Sequence, residues 1–183
     1  MQQASIIFTY DDYLTLPADG KRYEIIDGDL QVTPAPSTEH QEILGNLYTI
    51  LRAAISAKGI GKIFCAPIDV VLSMTEVVQP DIVGVSRERL QIITKKNIVA
   101  APDLVVEILS EATAKTDRTT KKQVYERHGV REYWIVDPER RTIEVYILKG
   151  SSFASAMLAY VDGSVRSEVF PNLPVDVKEV FKT

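Results

Sequence analysis

From Ile43 the apolar positions Ile43, Leu44, Leu47, Leu51, Ala54 and Ile55 recur at steps of three and four, the period of a helix with one buried face. Ser37 ahead of the run is suited to cap this helix, and Gly59 behind it to stop it. Before it, TYDDYLTL offers a short helix. In KRYEIIDGDLQVTP the pair Asp27-Gly28 separates two short β-prone runs, which predicts a hairpin. Beyond Gly59, IFCAPIDVVLS and QPDIVGVS are β-rich stretches separated by Met74 to Val78. A polar connection through Lys95 and Lys96 leads to PDLVVEILS, Pro102 to Ser110, which reads as a buried strand. A second helix is predicted from about Asp117 to His128, capped by Thr116 or Asp117 and closed by Gly129. REYWIVD and TIEVYIL then pair around PERR, the pattern weakens from Gly150, and PNLPVDVKEVF is expected to dock as a short C-terminal segment. Helix, three strands, helix and two strands in this order predict an α/β chain of mixed α+β type, its central mixed sheet flanked by helices.

Composition bounds the partners. With 183 residues, 45% hydrophobic and 25% charged, and no internal repeat or linker, a single domain over residues 1–183 is expected. The lone Cys65 excludes an internal disulfide and a multi-cysteine zinc site, and fits a reducing cytoplasm. No apolar run reaches the roughly 18 residues of a membrane span, and MQQASIIFTY lacks the basic and apolar halves of a signal segment. A soluble cytoplasmic protein is therefore expected. The net charge of -4 speaks against an obligate, salt-driven nucleic-acid binder, while leaving room for a local basic patch.

Glu107 is the anomaly in this pattern. It stands among Leu104, Val105, Val106, Ile108 and Leu109, where a carboxylate needs a basic partner, a proton or a metal ion. Asp81, just after Pro80, opens another apolar run. If the two strands are neighbours, both carboxylates converge on one cation, and hard oxygen ligands select Mg²⁺ or Mn²⁺. At about 100° per residue, Asp117, Lys121, Val124, Tyr125 and His128 share one helix face, so Lys121 points inward, where it is able to orient a water or stabilise charge on a phosphate. Each residue also has a plainer reading: Asp81 as a cap, Glu107 on a half-exposed strand, Lys121 reaching past the core to solvent.

His40 lies on the apolar face of the first helix and is a secondary candidate, as is Asp103, on the same side of its strand as Glu107. Lys115, Arg118 and Lys122, grouped around Lys121, are candidates to flank a nucleic-acid backbone. Tyr133 and Trp134 are assigned to packing.

The strings VVQPDIVGVS, APDLVVEILSEAT and DRTTKKQVYERHGVREYWIVDPERRTIEVYIL, with YEIIDGDL and PAPSTEHQ before them, resemble the Uma-type family of restriction endonucleases in the PD-(D/E)XK nuclease superfamily, over about residues 23–148. The resemblance implies a restriction endonuclease-like core, with Asp81 and Glu107 as the acidic pair holding Mg²⁺ or Mn²⁺ and DNA as the substrate. It also implies a departure. Leu109 stands two positions after Glu107, where the superfamily usually has lysine, and Lys121 is the candidate replacement. A metal-dependent endonuclease is thus expected. The rival is a catalytically inactive nucleic-acid-binding or homodimeric assembly module on the same fold.

Overall fold

The computed structural model describes residues 6–171 and 173–182. In chain order the elements are α1 (Tyr10–Tyr13), β1 (Arg22–Ile26), β2 (Asp29–Thr33), α2 (Thr38–Ile55), β3 (Gly61–Cys65), β4 (Val70–Ser73), β5 (Glu76–Val78) and β6 (Ile82–Ser86). A 3-10 turn over Arg87–Ile92 leads to β7 (Ile98–Val99) and β8 (Leu104–Ile108). Next, α3 (Ala114–Thr116) widens into a π-helical turn over Asp117–Lys121 and continues as α4 (Lys122–His128). The chain finishes with β9 (Glu132–Asp137), β10 (Thr142–Lys149), β11 (Ser152–Ala159), β12 (Ser164–Arg166), β13 (Pro174–Asp176) and α5 (Val177–Val180).

Continuously apolar strands need cover on both faces, and those strands take the middle of the larger sheet. Its order is β11-β10-β9-β8-β6-β3, with β8 and β9 parallel and every other neighbouring pair antiparallel. Every residue of β6, β8 and β9 is buried. The pleat of β8 divides the core: Leu104, Val106 and Ile108 pack with the α2 side chains Leu47, Leu51 and Ile55, while Val105 and Leu109 pack with Val124 and Tyr125 of α4. Tyr133 and Trp134 are fully buried on opposite faces of β9, in the packing role expected of them.

The Asp27-Gly28 hairpin forms as expected, with both residues at positive φ, and the Ser37 hydroxyl accepts the His40 N–H to cap α2. Other boundaries move. α2 ends at Ile55, four residues before Gly59, and the second helix opens at Ala114, three residues before Asp117. IFCAPIDVVLS is two strands instead of one, since β3 and β4 belong to different sheets, and Met74 to Val78 contributes β5 instead of a plain spacer. The smaller sheet, β2-β1-β5-β4-β7, was not foreseen; none of its strands exceeds five residues. The region after Gly150 likewise supplies an eight-residue edge strand, β11.

C-terminal docking is as expected. The Asn46 amide donates to the Val180 and Lys182 carbonyls, and Val177 and Val180 enter the α2 side of the core. Among the described residues no helix is long and apolar enough to cross a membrane. Residues 1–5 of the stretch read for a signal segment lie outside the described residues.

Candidate active site

The antiparallel register of β6 and β8 sets Ile82 opposite Val106 and Val83 opposite Val105. Asp81 immediately precedes Ile82 and Glu107 immediately follows Val106, so the two acids lie at the same end of this strand pair. Both residues are 3% exposed, and both line a cavity of about 660 Å³. The end of β8 holds Asp81 in place: its Oδ2 accepts the Ile108 N–H at 2.8 Å and lies 3.2 Å from His40 Nε2. The same His40 nitrogen is 3.1 Å from the Ile108 carbonyl oxygen, and Arg22 Nη1 approaches Asp81 Oδ1 to 3.7 Å.

Lys121 faces inward as the helical period required. Its Nζ lies 3.0 Å from Glu24 Oε1, 3.1 Å from Glu107 Oε1 and 3.7 Å from Asp117 Oδ1. The π-helical turn brings Asp117 and Lys121 to the cavity together, and a π turn inside an α-helix is a frequent mark of a functional site. One turn on, the Tyr125 hydroxyl donates to Glu107 Oε1 at 2.5 Å. Glu24 arrives from β1, fixed by the Gln79 N–H at 2.7 Å.

Charge is out of balance here. Glu24, Asp81, Glu107 and Asp117 outnumber the cations Lys121 and Arg22. Burial pushes the Glu107 carboxyl up to about 8; Lys121 opposes that, while Asp117, Asp81 and Glu24 add to it. Burial likewise raises Asp117 to about 6, again opposed by Lys121. Burial works against the Lys121 ammonium too, but the carboxylates of Glu107, Glu24 and Asp117 prevail and hold it charged. Burial would raise Asp81, yet the His40 contact, the Ile108 N–H and Arg22 outweigh it and keep its carboxyl below the ordinary range. The site therefore holds a firmly ionised Asp81 beside a Glu107 that readily keeps a proton.

The donor set fits a hard divalent cation. Among the described residues Asp81 Oδ1 and Glu107 Oε2 accept no hydrogen bond, and Asp117 Oδ1 is buried without one. No group of three or more His, Cys, Asp or Glu side chains among the described residues is arranged to cage a metal alone.

The cavity thus unites Asp81, Glu107, Lys121 and His40, and leaves Asp103 elsewhere. Asp103 lies just before β8 instead of within the strand, four residues ahead of Glu107, where it accepts the Ser86 N–H and binds Arg89 and Arg131. Of the basic group, Arg118 is bound to Glu144 and Asp137, and Lys122 Nζ lies 3.6 Å over the Tyr146 ring. Lys115 is exposed. Glu24, Arg22 and Asp117 complete the site although their roles there were not read in the sequence; Glu24 carries the signal Glu107 did, an acid followed by buried isoleucines.

The chain therefore combines a mixed sheet, two buried acids at one end of a strand pair, and a helix bearing a buried lysine. A crystal structure described as "a putative nuclease belonging to DUF820" from Anabaena variabilis ATCC 29413 has the same fold: TM-score 0.79, 23% identity, 95% of this chain and 97% of that chain covered. The family model described as "Uma2: Putative restriction endonuclease" matches residues 10–178, and the chain belongs to that family. The match extends past both ends of the 23–148 core expected from the motifs. No curated protein matches.

Proposed function

We propose that this chain is a metal-dependent endonuclease that hydrolyses DNA phosphodiester bonds, with Asp81 and Glu107 holding Mg²⁺ or Mn²⁺ and Lys121 assisting. The meeting of Asp81 and Glu107 in one cavity, at the same end of the β6–β8 pair, carries this reading. A divalent cation bound there supplies an acidified water and neutralises phosphate charge. Asp81 is pre-ionised by His40 and the Ile108 N–H, and is ready to accept a cation. Glu107 has to release its proton to do so. Lys121, shared between Glu107 and Glu24, remains in the cavity on Glu24 when Glu107 turns to other work, and there faces a phosphate as a fixed positive charge. Glu24 is a positioning residue for that lysine.

The test is cleavage of a nucleic-acid panel with Mg²⁺ or Mn²⁺, beside Glu107→Ala. Cleavage that needs metal and is lost in the variant supports the reading; equal activity in the variant overturns it. One observation favours the inactive module instead: Lys121 already neutralises part of the acid cluster, as a structural ion pair would. That module predicts nucleic-acid binding or self-association with no metal-dependent cut.

A further inference from the structure

We propose that the cavity takes its substrate as an unpaired strand, a single-stranded segment or a frayed end, and excludes an intact duplex; this rests on the nuclease reading above. The first reason is access. Asp81 and Glu107 are almost wholly buried, and the cavity wall is built from three chain segments, residues 33–37, 108–114 and 137–140. A phosphate has to pass among these segments to reach the acids. The cavity volume of about 660 Å³ falls in the range of small-ligand pockets. A duplex is stiff over many base pairs and presents its phosphates on the outside of a broad cylinder, whereas a single strand is able to thread one phosphate inward.

The second reason is the fate of the basic side chains. A duplex binder needs a track of free Lys and Arg to replace the counterions of the backbone. Arg118 is instead clamped by Glu144 and Asp137 and Lys122 is drawn over Tyr146, which leaves exposed Lys115 and Arg140 as separate basic side chains around the site. The third reason is the mouth itself, where the exposed Glu39, Glu111 and Glu139 line the cavity against Arg140. Such a rim repels a duplex more than a single strand, because two backbones concentrate more charge along the axis.

The experiment uses the full chain with Mn²⁺ on four substrates: a labelled single-stranded oligonucleotide, its fully paired duplex, a duplex with a central unpaired bubble, and bis(p-nitrophenyl) phosphate. Anisotropy of the labelled oligonucleotide and duplex with Ca²⁺ gives a second readout that needs no turnover. Cutting of the single strand and of the bubble within its unpaired segment is expected, with the duplex at least about 100-fold slower, in keeping with the few kcal/mol needed to unpair and unstack a base. Anisotropy is expected to rise for the single strand at lower protein concentration than for the duplex. Duplex cut or bound as well as the single strand overturns the proposal and leaves the nuclease reading standing. Hydrolysis of the small diester with no nucleic acid cut also overturns it. No hydrolysis of any of the four removes the nuclease reading, and this proposal with it.

Discussion

Two buried carboxylates, Asp103 just before β8 and Glu107 within it, are treated in opposite ways. Asp103 is fully buried and fully answered: the Ser86 N–H at 2.8 Å, Arg89 at 3.0 Å and Arg131 at 3.2 Å surround it. Burial would raise its carboxyl, but the Ser86 and Arg89 contacts outweigh burial and hold it below the ordinary range. Glu107, within the strand, shares one lysine with Glu24 and Asp117, and burial, added to by Asp117, Asp81 and Glu24, pushes it up to about 8. An acid matched by bases locks a structure. An acid crowded by other acids holds its proton more readily and is open to a cation in its place, the property on which the proposed function draws.

The sharpest way to break this comparison is to remove the lysine that Glu107 shares with Glu24 and Asp117. Lys121→Met should cost about 3–5 kcal/mol at pH 8, the usual range for stripping a buried charge of its partner. The loss should shrink on acidification, because the carboxylates then neutralise themselves with protons. Denaturant unfolding at pH 8 and pH 5 measures it, and equal losses at both would show that Lys121 does not balance these acids.

Next in size is Glu107→Gln. Metal-dependent cleavage should fall at least about 100-fold, or about 2.7 kcal/mol in transition-state stabilisation. Stability should change in a characteristic way. The folded-state carboxyl is raised from 4.5 to about 8, so the native state holds a proton that the unfolded chain releases. Wild type should therefore lose stability as pH rises through that window, and the variant should lack this contribution. A variant with an unchanged pH slope would place the raised group elsewhere.

Asp103→Asn supplies the opposite arm. It should lower stability by about 1.5–3 kcal/mol through its charge-assisted hydrogen bonds and leave metal-dependent cleavage per folded molecule unchanged. Loss of cleavage in a folded Asp103→Asn chain would erase the distinction between the two acids. The smallest effect is expected for Lys122→Met, at about 0.5–1 kcal/mol, since its loss removes a half-exposed contact over Tyr146. Thermal unfolding and cleavage measured together would detect a larger role.

The crowded site was more legible in the sequence than the sheet around it. Glu107 was visible because a charge interrupts a buried run, Asp81 because it opens one, and Lys121 because the helical period turns it inward. The helix also put Asp117 on the inward face, yet a cap was its nearer reading. Glu24 escaped because β1 belongs to a hairpin whose partner strand is partly exposed, so its burial depends on contacts with Gln79 and Lys121, 55 and 97 residues away. The smaller sheet escaped for a related reason. Strands of two to five residues carry too little alternation to announce themselves, and IFCAPIDVVLS reads as one stretch although its halves enter different sheets. Asp103 and Glu107 show the limit most clearly: four residues apart, both buried, with opposite surroundings set by distant residues.

The most direct measurement is calorimetric titration of Mn²⁺ into the wild-type chain and Glu107→Gln between pH 6 and pH 8. Because Glu107 has to give up its proton to serve as a ligand, wild-type affinity should rise by up to about tenfold per pH unit over this range, with proton release seen as a dependence of the heat on buffer. In Glu107→Gln both the affinity and its steep pH dependence should collapse. Binding that is equally strong in the variant, or absent from wild type at every pH, would contradict the assignment of Asp81 and Glu107 as a cation site.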